Sequence, residues 1–482
     1  MRQRLVTHEN KKWWTLAAVS VGLFMMMLDN TVVNVALPSI RSSLHMSLSE
    51  LEWIVAGYAL TFAAFMLSGG KLADFVGRRL IFMIGLVVFT GASLACGLAP
   101  NGGFLIGARV VQGLGGALMN PATLSIVTAT FPPQERGKAI GIWAGVSAMA
   151  LAIGPLVGGL IVEHANWNWI FFINVPVGIL GLFAIPVLIE ESRDRSADQR
   201  LDLPGLATSA IGLFSLTYAF IEANSYGWTS ARILGAFAVA AVALVGFVLL
   251  ELHQRVPMLD LSLFRNRTFS GANTSMLFVG LAMFGTFFFV SLYMQNVLGY
   301  SPVQAGATFL PMTILVILIA PRAGALTDKV GSRWLVGAGM ALLSVMLFYF
   351  TRLGADESFW TILPALLVGG IGMGLTMTPT TAAAMSAVPV DKAGIGSGVL
   401  NSMRQVGGSL GIAVMGAIVA STSASSLAAG DTPQIAYLNG FHDALRVGAI
   451  LCLAGAAVAV AAIRKVEHPL TAEQEQAALE AA

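Results

Sequence analysis

Three polar side chains, Asp29, Asn30 and Asn34, interrupt an apolar run from Trp13 to Leu37. The run is long enough to cross a bilayer, and an acid at that depth costs about 3 kcal/mol on insertion scales. Such an acid either pairs with a buried base to hold two helices together or stands on a proton or substrate path. Arg109 and Gln112 occupy a second apolar run, and Glu222 ends another beside Asn224, Tyr226 and Trp228. Arg404 and Gln405 form the strongly polar spot of a fourth. Carboxylates, guanidinium groups and amides at such depth are suited to ion pairing and proton transfer. The six histidines (His8, His45, His164, His253, His442 and His468) fall in loops or at helix ends. The proton burden therefore falls on carboxylates. Nothing resembles a nucleotide loop, a metal cluster or a catalytic triad, so the expectation is no enzyme, no metal and no cofactor.

These residues need helices in a membrane to position them. Hydrophobic residues make up 56% of the chain and charged residues 11%, with mean hydropathy +0.78. A soluble domain carries about 25% charge, so the composition is that of a polytopic membrane protein. The net charge of +2 gives no reason to expect nucleic acid. Cys96 and Cys452 sit in apolar runs and resemble small core residues rather than a disulfide or metal site. The basic amino terminus leads into an apolar run too long for a signal-peptide core, which reads as an uncleaved first helix.

Fourteen apolar spans follow, at 13–37, 51–72, 80–99, 104–128, 138–162, 170–189, 203–222, 231–252, 269–294, 302–327, 334–351, 359–385, 395–420 and 442–463. With a cytoplasmic amino terminus, the inner segments collect most of the basic residues, among them Arg2, Arg4, Lys71, Arg136, Arg195, Arg200, Arg255 and Lys465. The outer segments hold only Arg41, Arg232 and Arg352. This positive-inside bias, with an even number of spans, places both termini in the cytoplasm. Arg109 then lies six residues inside the outer end at Gly103, about 9 Å along a helix, and Asp29 lies eight residues before Leu37, about 12 Å. Matched depth makes Arg109 the strongest partner for Asp29. If the two touch, the guanidinium favours the ionised acid, and parting them favours a proton. Gln112, one turn below, would bridge by hydrogen bonds. Glu222 is the next proton-coupling candidate, although its neighbours also read as an interfacial belt.

Gly70-Lys-Leu-Ala-Asp74-Phe-Val-Gly77-Arg78-Arg79 follows span two, and Gly324-Ala-Leu-Thr-Asp328-Lys-Val-Gly331-Ser-Arg333 follows span ten. An offset of eight spans implies two six-helix halves with two extra helices between them. The divisions are residues 1–192, 193–256 and 257–482. The glycines permit tight turns, and Arg136 in the next cytoplasmic loop is a candidate partner for Asp74. Such contacts would close an inner gate, or the basic residues would serve only as topological anchors. In span five, Gly141, Gly145, Gly154, Gly158 and Gly159 form a small-residue surface, with Pro155 weakening the backbone ladder. Tyr58, Trp143 and Asn34, with Gln112 and Arg404, are candidates to line an adaptable cavity, though such residues also face lipid or pack helices. An apolar cavity holding one carboxylate favours lipophilic cations.

Gly70 to Arg79 resembles the signature between the second and third helices of the major facilitator superfamily. Leu105-Ile-Gly-Ala-Arg109-Val-Val-Gln112-Gly113 resembles its fourth-helix arginine motif, and Gly154-Pro155-Leu-Val-Gly158-Gly159 the fifth-helix motif of its antiporters. Leu28-Asp29-Asn-Thr-Val-Val-Asn34-Val-Ala-Leu-Pro38, with Trp167-Asn-Trp-Ile-Phe-Phe-Ile-Asn174-Val-Pro176, is similar to the fourteen-helix drug:proton antiporters. Asn168 departs from the Trp-Arg-Trp of that family, which removes a possible outer ion pair. The resemblance spans residues 13 to about 464 and implies an all-α facilitator fold of 6 + 2 + 6 helices. It further implies that the fifth-helix glycines control sliding between halves and disfavour proton leak. The expected activity is proton-driven export of lipophilic, cationic drugs or toxic compounds by a monomer in the bacterial cytoplasmic membrane, in contact with lipid. Alternatives are a dedicated exporter of one endogenous metabolite, a nutrient symporter, and a membrane-embedded enzyme or sensor.

Overall fold

The computed structural model describes residues 10–193, 201–254, 257–389 and 392–464, without the side chains of 133, 134, 148, 152, 328 and 393. Arg2, Arg4, His8, Arg195, Arg200, Arg255, Lys465 and His468 lie outside the described residues. Helices α1 (Lys11–Leu44), α2 (Leu48–Val76), α3 (Arg78–Gly97), α4 (Gly102–Thr130), α5 (Pro133–His164), α6 (Trp169–Phe172) and α7 (Asn174–Leu188) come first. Next stand α8 (Leu203–Tyr226) and α9 (Ala231–His253). The remainder are α10 (Arg267–Asn296), α11 (Pro302–Thr308), α12 (Leu310–Val330), α13 (Ser332–Phe350), α14 (Phe359–Ser386), α15 (Ala393–Ala428) and α16 (Pro433–Ala462).

Among the described residues, thirteen stretches are long and apolar enough to cross a membrane, and α5, bent by 40° between Leu151 and Ile153, is a fourteenth when its two arms are taken as one span. Pro155 explains the bend, because it has no N–H to offer the carbonyl four residues earlier, at Leu151. The same chemistry splits two spans in place. Pro176 cannot donate to Phe172, where α6 ends, and Pro311 cannot donate to Ala307, beside the α11–α12 break. With fourteen spans, Lys11 and Arg464 fall at the same end of the helix bundle, called here the terminal side.

Helix ends are set by local polar chemistry. Ser47 and Glu50 form a capping box at the start of α2, as do Ser301 and Gln304 at α11. Thr432 caps α16 and Pro433 takes its first position, so this helix begins nine residues before the apolar run expected to open at 442. Asp443, expected at a helix start, therefore lies inside α16, where it pairs with Arg446 at 2.6 Å. Close packing between helices rests on glycine, as lipid-embedded interfaces require. A methyl group at Gly115 of α4 would meet the Phe89 amide nitrogen of α3 at 2.6 Å. Helices α1–α7 pack mainly among themselves, as do α10–α16, while α8 lies against α2 and α15.

Gly77 and Gly331 occupy matching turns in the two loop repeats, with φ of +141° and +90°. L-residues rarely adopt such backbone, and a Cβ at Gly77 would also meet the Glu191 carboxylate at 2.8 Å. Gly77→Ala is expected to cost about 1–3 kcal/mol of stability, read as a lowered melting temperature of the purified protein.

Candidate functional site

Five helices converge on Asp29. Arg109 of α4 donates from Nη1 to Asp29 Oδ2 at 2.5 Å. Gln112, one turn further along α4, donates to Asp29 Oδ1 at 3.0 Å, and Asn174 at the start of α7 donates to the same oxygen at 3.0 Å. Ser93 of α3 accepts from both amides, at 2.6 Å from Gln112 and 3.2 Å from Asn174. Arg109 is held from two further directions, by the Ile54 carbonyl of α2 at 3.2 Å and by Gln112 Oε1 at 2.6 Å. Its guanidinium also lies over the Tyr58 ring, 4.2 Å from the centroid. Asp29 and Arg109 are each 1% exposed, Gln112 and Ser93 fully covered and Asn174 2% exposed.

This close approach depends on small residues, since a Cβ at Gly113 would meet the Tyr58 carbonyl at 2.5 Å. The pairing expected from matched depth is thus made. A buried pair with its remaining valences satisfied is stable as a unit, and removing one partner strands the other charge at a cost of about 3–5 kcal/mol. Chemically, the site sets an acid and a base in direct contact, with Gln112 and Asn174 donating to the acid's second oxygen.

Asn174 and Ser93 carried no role in the sequence reading. Asn174 does signal itself as a lone amide in an apolar run, but a helical serine commonly bonds its own backbone and so gives no such signal. Gln112, expected to bridge the pair as well as to line a cavity, makes that bridge. Tyr58 is buried beneath Arg109, its hydroxyl without a hydrogen-bond partner among the described residues. Trp143 is half-buried and donates to Thr123 Oγ1 at 3.0 Å. Asn34 is half-buried, and its backbone carbonyl accepts from Ser291 of α10 at 3.0 Å. Arg404 lies on α15 against α10, where its carbonyl adjoins Gly280. Glu222 stands apart from the cluster and accepts from Trp53 Nε1 of α2 at 3.2 Å. Asn168 donates to the Gly97 carbonyl at 2.7 Å.

The first loop repeat differs from expectation in its partners. Asp74 pairs with Arg78 at 2.9 Å, one turn away, rather than with Arg136. Arg136 donates instead to the Phe131 carbonyl at 2.9 Å. A partner four residues along the chain is the shorter reach for Asp74. Gly70 packs on Pro121 of α4. Glu191 completes the turn by accepting from the Arg79 and Leu80 amides at 3.0 and 3.1 Å, satisfying open donors at the start of α3. In the second repeat Ser332 replaces Arg78, Arg333 lies over Trp334 at 5.1 Å, and the side chain of Asp328 is outside the described residues.

A family model described as the Major Facilitator Superfamily matches residues 19–412. The chain belongs to that superfamily. It is 38% identical over 411 residues to the tetracenomycin C resistance and export protein of Streptomyces glaucescens, covering 85% of this chain and 76% of that one. Multidrug resistance protein Stp of Mycobacterium tuberculosis is 38% identical over 416 residues, with 86% and 77% covered. Puromycin resistance protein pur8 of Streptomyces alboniger is 37% identical over 445 residues, with 89% and 86% covered. Among solved structures, a bacterial homolog of the human lysosomal transporter Spinster, inward-facing and unoccupied, shares the fold. Its TM-score is 0.69 at 18% identity, with 96% of this chain and 100% of that one covered.

In this facilitator chain, α5 carries one contact between halves and α2, packed on α15, another. Gly154 packs on Thr31 and Leu28 of α1, and Gly158 on Val32, whose carbonyl would lie 2.8 Å from an added Cβ. Gly159 crosses to the other half, against Pro302 and Val303 of α11. The Pro155 carbonyl abuts Gly306. On the same side, opposite the termini, Gln295 of α10 donates to the Val35 carbonyl at 3.0 Å and the Val303 amide to Glu163 at 3.0 Å. Gly141 lies 18 residues (159 − 141) before Gly159, five turns, and so shares its face, yet it and Gly145 have nothing within 4 Å. The expected small-residue surface is thus packed only from Gly154 onward. The α5–α11 seam is shut on the side opposite the termini.

Proposed function

We propose that the protein is a proton-coupled antiporter that exports lipophilic, cationic drugs or toxic compounds by alternating access. The observation that carries this reading is the Asp29–Arg109 pair, an acid and a base in contact at 2.5 Å and sealed from water between five helices. The relatives named for multidrug resistance and export support the outward direction and drugs as substrates. The positive-inside bias supports a cytoplasmic terminal side in a bacterial plasma membrane, and the seam shut opposite the termini supports loading of substrate from the cytoplasm. Once substrate has left outward, Asp29 parted from Arg109 takes a proton from the outer face, and the proton leaves inward when substrate or Arg109 returns to the carboxylate. The proton gradient supplies the energy and no cofactor takes part. Asn34, Trp143 and Arg404 border the substrate path, while Gly70, Asp74, Gly77, Arg78 and Arg79 with Gly154, Pro155, Gly158 and Gly159 govern the two gates. Arg136, Asp328 and Arg333 support the terminal-side gate. Glu222 contributes a second titrating acid, and the protein works as a monomer in contact with lipid.

A second reading, a dedicated exporter of one antibiotic-like metabolite, is favoured by relatives named for tetracenomycin C and puromycin. Proteoliposomes holding the purified protein, loaded with one of several lipophilic cationic dyes and given an imposed pH gradient, distinguish the two. Exchange of several unrelated dyes is expected. Exchange of none, with an antibiotic moved instead, favours the second reading.

A further inference from the structure

Glu52 lies one turn inside the start of α2, on the side opposite the termini, and is 2% exposed. Among the described residues it makes no hydrogen bond or ion pair. Its carboxyl group is pressed against the other half of the molecule, since a Cβ at Gly416 of α15 would lie 2.6 Å from Glu52 Oε2. A second acid stands close by, since Glu222 on α8 accepts from Trp53, the residue next to Glu52. Asn224 of α8 reaches across to the Ala417 carbonyl of α15 at 2.8 Å. Ala56, Ile221 and Ala413 close the apolar floor of the site.

Among the described residues, no cation pairs with either acid. Arg232 at the start of α9 stacks on Tyr226 at 3.8 Å and on Tyr218 at 5.4 Å. Arg109 of α4 bonds the Ile54 carbonyl of α2, but its charge is taken by Asp29. From α15 the facing residues are Gly416, Ala413 and Ala417, with no charge among them. An ionised carboxylate buried without a partner costs several kcal/mol, and two side by side cost more.

We propose that Glu52, with Glu222 beside it, forms a proton-binding site that closes the gate opposite the termini, Glu52 holding a proton whenever α2 and α15 meet there. This deepens the antiport reading and rests on it. When that gate is open to the outside, Glu52 stands in water and ionises, and its charge keeps the α2 and α15 ends apart. A proton from the outer solution bonds to one Glu52 oxygen, neutralises it, and lets the group seat against Gly416. The return to the state loaded from the cytoplasm is thereby tied to external acid, separately from the proton carried by Asp29.

The test uses the full chain in proteoliposomes with Cys96→Ala and Cys452→Ala, and spin labels at Ser43→Cys on α1 and Ala429→Cys after α15. The distance between labels is followed against external pH, alongside dye exchange. Closure is expected to grow as pH falls in the parent, to lose that dependence and stay closed in Glu52→Gln, and to shift to lower pH in Glu222→Gln. Glu52→Gln with the parent's pH dependence overturns the proposal, as does an unshifted Glu222→Gln if Glu52→Gln fails to fold. A parent that exchanges no dye under a pH gradient overturns the antiport reading instead, whatever the label distances do.

Discussion

Export driven by a pH gradient is expected to fall about a hundredfold or more when Asp29 becomes asparagine, the equivalent of about 3 kcal/mol. The substitution keeps the shape of the side chain but removes the group that exchanges a proton. Arg109 is left facing an amide that cannot neutralise it. It keeps the Ile54 carbonyl and Gln112 Oε1 as acceptors, so the helices stay assembled. The stranded charge nevertheless lowers stability, by about 3–5 kcal/mol when a buried pair is broken in this way. Removing Arg109 as well, in Asp29→Asn with Arg109→Met, is expected to recover much of that stability without recovering transport. Melting temperatures and dye efflux measured on the single and double variants separate the two effects. Efflux by Asp29→Asn at the parent's rate would remove this acid from the cycle.

Gly159→Val is expected to abolish export by a different route. The glycine seats directly on the backbone of α11, where an added Cβ would lie 2.8 Å from the Val303 α-carbon. Backbone cannot yield as a flexible side chain does, so closure opposite the termini is blocked while the pair at Asp29 remains intact. The protein then stays open to the outside and cannot load substrate from the cytoplasm. Labelling from outside of a cysteine placed at Ser291, whose hydroxyl bonds the Asn34 carbonyl in the closed seam, is expected to rise severalfold over the same cysteine in the parent. Protected labelling together with normal export would show that this contact is not a gate.

Much of this site was legible because helix geometry is regular. A fixed rise per residue placed Asp29 and Arg109 at one depth, and the structure joins them. The loop repeat was legible for a similar reason, since Gly77 and Gly331 both take backbone that favours glycine. The Asp74–Arg136 pairing failed because a local partner, Arg78, lies one turn away on the same surface. Apolar runs also understate helices whose polar turns continue beyond the lipid, as with Pro433 to Phe441 at the start of α16. Glu52 gave no signal at all. An acid just inside a helix start usually complements the helix dipole in solvent, and only the packing of α15 and α8 over α2 turns it into a buried group.

The central claim is that the proton carried by the cycle sits on Asp29, displaced when substrate and Arg109 compete for the carboxylate. Proton release on substrate addition tests it most directly. The purified protein in weakly buffered detergent solution, with a pH indicator, is mixed with a lipophilic cationic dye. The parent is expected to release protons in proportion to the dye bound, and Asp29→Asn to bind dye with no release. Equal release from both proteins would contradict the account.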